Sequence, residues 1–204
     1  MNRENIKKII AALLIGFVVG VLWFVGVRFA LYEKDGVHYH GNFAVYINGE
    51  REQFDSFAYY EEVQSCGADA AFNPRNRTHM HDETNHVVHV HDEAATWGHF
   101  FANLGYTLGN DVLRTDGQML IDGQGGELSF VLNGEEVDTI ANQTIRDEDA
   151  LLINYGDDST ETLQERYDGL TKDAAEYNER ADPSACTAGE PATWQERLKA
   201  ATGF

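Results

Sequence analysis

The chain has 204 residues, with 15 Lys and Arg against 34 Asp and Glu, for a formal net charge of -19. So acidic a protein lacks the basic footprint that phosphate recognition demands, which excludes nucleic-acid binding and disfavours anionic substrates. The charge is also unevenly placed: the first 32 residues hold Arg3, Lys7, Lys8 and Arg28 beside the single acid Glu4, and the remainder carries 33 acids against 11 bases.

The basic start leads into nineteen consecutive residues without a charge, Ile9 to Val27, and Phe29, Ala30 and Leu31 prolong the apolar stretch past Arg28. About twenty apolar residues cross the hydrocarbon core as a helix, so residues 9–31 are expected to form one transmembrane anchor. A cleaved signal peptide would have a shorter apolar core, roughly 7–15 residues, closed by small residues. Arg28-Phe29-Ala30-Leu31 matches that ending poorly. The positive-inside bias of Arg3, Lys7 and Lys8 puts residues 1–8 in the cytoplasm. The expected location is therefore the cell membrane, with a single pass and the main domain extracytoplasmic. Cys66 and Cys186 are the only cysteines and form no CxxC, so a single long-range disulfide and two buried thiols both remain open.

From Val37 to Tyr155 the pattern is one of strands and turns. Val37, Tyr39, Phe43, Val45 and Ile47 share one parity, and Asn48-Gly49 suits a two-residue hairpin turn. Leu128 to Leu132 followed by Asn133-Gly134 repeats the arrangement. Between these hairpins, His79-Met80-His81 and His86 to His91 read as two strands around a turn. Thr96 offers an N-cap to a short helix from Trp97 to about Leu104, and Gly105 offers its stop. Beyond Tyr155 the spacing of Leu163, Tyr167, Leu170, Ala174 and Tyr177 predicts a helix over 159–182. Thr193-Trp194-Gln195-Glu196 opens a last helix with capping-box spacing. The expected class is α+β: an N-terminal transmembrane helix, a mixed sheet with a short crossing helix in 37–156, and a helical C-terminal extension in 157–204.

All eight histidines lie between His38 and His99, and six form the HxH pairs His38/His40, His79/His81 and His89/His91. In a strand, residues i and i+2 share a face about 6.6 Å apart. Two imidazoles so placed can converge on one ion at roughly 2.0–2.1 Å per Zn–N bond. Each pair has the parity opposite to its strand's apolar set: Tyr39 and Phe43, Met80, and Val88 and Val90 respectively. In one sheet with strands roughly 4.8 Å apart, the three pairs would gather on the face that the core leaves free, around one ion or a close pair of ions. Imidazole ligation suits Zn(II), Cu(II) or Ni(II), with copper or zinc favoured. Asp82 or Asp92 can complete the shell or orient an imidazole. His86 and His99 fall outside the pattern.

Recognised enzyme signatures are missing. There is no HExxH, G-x-S-x-G or P-loop, and His79-Met80-His81-Asp82-Glu83-Thr84 departs from the metallo-β-lactamase HxHxDH pattern at Glu83 and Thr84. The alternatives to metal capture, sensing or delivery are a surface interaction module with incidental histidines and a metal-dependent hydrolase or oxidase. The latter would need an exchangeable ligand position on the ion.

HYHGNFAVYING, HMHDETNHVVHVH and TWGHFFANLG together resemble a family of small, largely uncharacterised, membrane-anchored prokaryotic proteins with repeated HxH motifs. The resemblance covers most of 37–156. It implies a cysteine pair in the loop after the helix, and LRTDGQMLIDGQGG lacks both, so a redox role does not carry over. The segment LSFVLNGEEVDTIANQTIRDEDALLINYG looks like the end of a β-grasp domain of the transcobalamin-like kind, with Asp147-Glu148-Asp149 as the turn before the closing strand. That likeness implies a mixed sheet crossed by the Trp97–Leu104 helix on one face and histidines on the other.

Overall fold

The computed structural model describes residues 2–32, 37–61, 74–81, 83–180 and 192–203. The chain divides into two compact units, residues 1–35 with 190–204, and residues 36–189. In the first, α1 (Arg3–Leu31) is a 29-residue helix with none of its residues buried, and its most apolar window has a mean hydropathy of 2.7. It is long and apolar enough to cross a membrane. The helix starts ahead of the apolar run because Asn2 caps it, accepting from the Glu4 N–H, and because Glu4 complements the positive end of the helix. The other helix of this unit, α5 (Trp194–Thr202), opens with the expected Thr193/Glu196 capping box and packs on α1. Arg197 Nη1 donates to the Phe29 and Ala30 carbonyls at 3.4 Å each, groups that a helix C-terminus leaves open.

The second unit is α+β. Its strands are β1 (Tyr39–Ile47), β2 (Glu50–Arg51), β3 (Thr78–His79), β4 (Val87–Val90), β5 (Thr107–Leu108), β6 (Val112–Arg114), β7 (Met119–Ile121), β8 (Glu127–Leu132), β9 (Glu135–Glu136) and β10 (Ala150–Gly156). The helices are α2 (Trp97–Asn103), α3 (Thr160–Asp168) and α4 (Ala174–Asn178). The main sheet runs β3-β4-β1-β10-β8-β9, with β2 on the far half of β1. β1 and β10 pair in parallel at its centre, and the other pairings are antiparallel. Both Asn-Gly turns form as expected. Asn48 (φ 51) with Gly49 (φ 88), and Asn133 (φ 54) with Gly134 (φ 85), hold the positive φ values that a tight hairpin needs.

One face of this sheet carries the larger core. Phe43, Val45, Met80, Val88, Val90, Leu151 and Ile153 pack there against Trp97, Phe100 and Phe101 of α2. The alternation read from the sequence therefore holds, with Tyr39 and Ile47 at the margin of the same cluster. Gly98 permits the close approach of α2: a Cβ there would lie 2.6 Å from the Ala141 carbonyl oxygen. That carbonyl accepts from the Gly98 N–H at 2.8 Å. A separate three-stranded sheet, β5-β6-β7, adds Leu108, Leu113 and Leu120 to this core.

The other face holds the smaller cluster of Ala44, Val131, Ala150 and Leu152 under Leu163 and Tyr167 of α3. Here the structure corrects the sequence reading. The single helix expected over 159–182 is broken into α3 and α4. Gly169 terminates α3, its N–H returning to Glu165 O, and the chain turns through Asp173 before α4 begins. The break lets α4 pack on β1 at the histidine end.

Candidate metal centre

The strand register assembles the three HxH pairs. His40 lies opposite His89, and His89 opposite His79, so one row of imidazoles crosses β1, β4 and β3. His38, His91 and His81 flank that row on the same face. The His38 and His91 rings stack at 5.0 Å with planes 7° apart, and His79 stacks with His91 at 5.1 Å. His81 sits 3.5 Å from His89 between ring centres. All six predicted ligands thus occupy one patch. His38, His40 and His89 bring their ligand nitrogens within 4.8 Å of one another, a group that can hold a metal ion.

The patch is not a solvated hairpin face. His40, His79, His81 and His89 are buried to 1–2% exposure, and only His38 and His91 are half-buried. The cover includes α4, whose Tyr177 ring centre lies 5.8 Å from that of His40 and 6.3 Å from that of His89. Outward parity on a strand means only the face opposite the larger core, and in this protein a helix closes over it.

Hydrogen bonds set the tautomers of two key rings. Asn178 Nδ2 donates to the Asp147 carboxylate at 2.8 Å, which turns Asn178 Oδ1 toward His40 Nδ1 at 2.7 Å. An amide oxygen only accepts, so His40 carries its proton on Nδ1 and presents Nε2 as a lone pair. That nitrogen faces His89 Nδ1 at 2.7 Å. On β3, His79 Nδ1 donates to the Arg75 carbonyl at 2.8 Å, which leaves its Nε2 as the ligating nitrogen in the same way. These orienting groups were not foreseen from the sequence. A carbonyl has no residue signature, and Asn178 lies 138 positions from His40.

α4 is held down by a second polar clamp. Asn42, on the histidine face of β1, donates to Asp173 Oδ1 at 2.8 Å and accepts from the Ala174 N–H at 2.9 Å. Asp173 Oδ2 also takes the His86 Nε2 contact at 3.1 Å. Burial pushes the Asp173 carboxyl up, but hydrogen bonds from His86 and Asn42 outweigh it and leave the group below the usual carboxylate range. His86 is thus a clamp residue. His99 is structural as well: its Nδ1 accepts from the Thr96 N–H at 3.1 Å, completing the capping box of α2.

Of the proposed supporting carboxylates, Asp92 accepts from Arg77 Nε at 2.7 Å and from the Ala94 N–H at 2.8 Å. The Ala94 bond first, and then Arg77, hold its carboxyl low against the opposing effect of burial. Asp82 lies outside the described residues, as do Cys66 and Cys186 and with them the possible disulfide. Tyr39, between His38 and His40 in sequence but on the opposite face, donates its hydroxyl to the Ile145 carbonyl at 2.7 Å, and that hydroxyl is pushed up by burial first and then by Asp149, Glu93, Asp147 and Asp92. Comparison of the chain with protein-family models, with curated proteins and with solved structures gives no match.

Proposed function

We propose that the protein is a membrane-anchored, extracytoplasmic binder of a divalent transition metal, copper or zinc, that captures, senses or delivers the ion. The observation that carries this reading is the buried row of imidazoles with two rings locked in the tautomer that offers Nε2. Burying four imidazoles, with two more half-buried beside them, costs folding free energy unless their nitrogens are bonded, and a shared ion would bond several at once. The N–H···N bond between His40 and His89 marks where an ion would enter. Two ligands on a tetrahedral zinc, each about 2.05 Å from the metal, stand about 3.3 Å apart. The two nitrogens, now 2.7 Å apart, would separate by a few tenths of an ångström, and His89 would move its proton to Nε2.

The acidic exterior suits cation capture, and α1 suits an anchor that keeps the domain at the membrane surface. Ring nitrogens sealed from solvent at His38, His81, His89 and His91 favour a held ion over a catalytic one with an exchangeable position. For the fold, the central parallel pair β1 and β10 with α2 across one face supports a β-grasp-like domain.

The test is elemental analysis of the full chain, purified in detergent without a histidine tag, beside a His89→Ala/His91→Ala variant. The wild type is expected to retain stoichiometric zinc or copper at neutral pH and the variant to retain none. Metal-free wild type after exposure to both ions, or a variant with undiminished metal, refutes the reading.

A further inference from the structure

We infer, resting on the reading of α1 as a membrane anchor, that α5 is an interfacial helix. It lies in the membrane–water boundary at the C-terminal end of α1 and sets Trp194 and Leu198 among the lipids.

The level of that boundary follows from α1. A helix rises about 1.5 Å per residue, so the uncharged run from Ile9 to Val27 covers ~28 Å, close to the roughly 30 Å of a hydrocarbon core. Lys7 and Lys8 flank the run at one end and Arg28 at the other, which puts the second edge of the core at residues 28–31. α5 is seated at this level. Arg197 Nη1 donates to the Phe29 and Ala30 carbonyls at 3.4 Å each, and Phe29 is half-buried between exposed Arg28 and Ala30. The guanidinium thereby serves open carbonyls of the helix end where water grows scarce.

The residues of α5 divide into two sides. Arg197 grips α1, and Ala201, one turn on along the same face, is 3% exposed. Trp194 and Leu198, also one turn apart, form a stripe about 60° round the helix from that face. They are 65% and 45% exposed. Gln195, Lys199 and Thr202 project from the other side and are exposed as well. The apolar stripe of α5 thus adjoins its α1-facing side, and at the end of α1 Leu31 is itself 74% exposed.

This arrangement fits a bilayer as the occupant. The nine residues of α5 include Glu196, Arg197 and Lys199, too short and too polar a helix to cross the core. An amphipathic helix with tryptophan on its apolar side and bases elsewhere rests instead in the headgroup region, the level that tryptophan prefers. In a chain of net charge -19, α5 holds two bases to one acid, and Arg28 adds a third base next to Phe29, which suits lipid phosphates. The capping box at Thr193 and the left-handed Gly203 (φ 78), whose N–H returns to the Lys199 carbonyl, close both ends of the helix. The chain then meets the membrane both before residue 36 and after residue 189.

The experiment uses the full chain in vesicles of phosphatidylcholine and phosphatidylglycerol and reads tryptophan fluorescence. Trp23, Trp97 and Trp194 are the three tryptophans. Subtracting the emission of Trp194→Phe, a conservative change at an exposed site, isolates Trp194, and subtracting that of Trp23→Phe isolates Trp23 within α1. Acrylamide quenches from water, and phospholipids brominated near the glycerol or near the chain end quench from shallow or deep in the bilayer. The Trp194 emission is expected to be blue-shifted, to lose most of its intensity to the shallow bromines and to resist acrylamide. Loss to acrylamide with no effect of bromine overturns the inference, as does stronger quenching from the deep position. Shielding from both quenchers overturns it too, since protein, a second copy included, would then cover Trp194. In each of these cases Trp23 quenched by bromine leaves the anchor reading standing, whereas a Trp23 that no bromine reaches overturns that reading as well.

Discussion

The two faces of the main sheet are built from the same strands and follow opposite rules. On the aromatic face, Phe43 meets Phe100 edge-on at 4.8 Å and Phe101 at 5.9 Å, and the rings fill space without polar atoms to satisfy. On the histidine face, one residue away along the same backbone, buried imidazoles stand in a row and their nitrogens enter specific hydrogen bonds. The first arrangement stabilises the fold through area removed from water and tolerates any ring that fits. The second spends folding free energy to hold donor atoms in place. At the β3-β4-β1 end of the sheet parity thus separates the aromatic core from the imidazoles, while the same face further along packs Ala44 and Leu152 under α3, and each face can be perturbed with the other as control.

The largest expected effect comes from emptying the aromatic face. Phe101 is fully buried against Phe43, Phe100 and Tyr106. Phe101→Ala should destabilise the metal-free protein by about 3–5 kcal/mol, measured by urea denaturation of the detergent-solubilised chain. His89→Ala, on the opposite face, should change the metal-free stability far less and remove the stabilisation that metal confers. If the two substitutions cost the same in the absence of metal, the division of labour is wrong.

Metal itself is the next perturbation. At a free zinc concentration one hundredfold above the dissociation constant, binding to the folded state alone adds about 2.7 kcal/mol. That increment should vanish with a chelator, and on acidification toward about pH 5, where protonated imidazoles no longer ligate. A gap between zinc-loaded and metal-free unfolding midpoints that persists at pH 5 would contradict imidazole ligation. Asn178→Ala sharpens the point without touching a ligand. It frees His40 Nδ1 from its acceptor and should weaken zinc affinity about 10–100-fold by chelator competition, with the aromatic face intact. An unchanged affinity would show that the orienting bond is idle.

Much of this contrast was legible in the sequence because strand parity is a local property. Tyr39, Phe43 and Val45 on one side and His38 and His40 on the other declare the two faces of β1 within ten residues. The Asn-Gly turns and the Thr96 and Thr193 caps are equally local and formed where expected. What covers the histidines was not legible. The seating of α4 on β1 depends on the break at Gly169 and on Asn42 binding Asp173 and Ala174 more than 130 residues away. No periodicity records such a contact. For the same reason the sequence suggests Asp92 as a supporting carboxylate, whereas the fold gives Asp92 to Arg77 and lets Asp147 act on His40 through Asn178.

The smallest effect tests whether the histidine face is special or merely polar. At its other end, Arg166 grips Asp158 with both terminal nitrogens, Nη1 at 2.7 Å and Nη2 at 2.9 Å, and the two side chains are 15% and 19% exposed. This polar fork uses the same face of the sheet but holds no imidazole, so it should support stability and leave metal untouched. Asp158→Asn should cost about 1–2 kcal/mol in the metal-free protein, since it breaks a largely buried charged pair. Hydrogen bonding from Arg166 first, against the opposing effect of burial, holds the Asp158 carboxyl below its ordinary 3.8. A carboxyl with a depressed folded value contributes stability that is full above the unfolded value, about 3.8, and is lost as pH falls through the folded one. The urea midpoints of wild type and Asp158→Asn should therefore differ by a constant amount from pH 7 to pH 5 and converge below pH 3.8, with zinc stoichiometry at neutral pH equal in both. Lost zinc in this variant would mean that the two ends of the face act as one unit, and that parity alone does not isolate the metal centre.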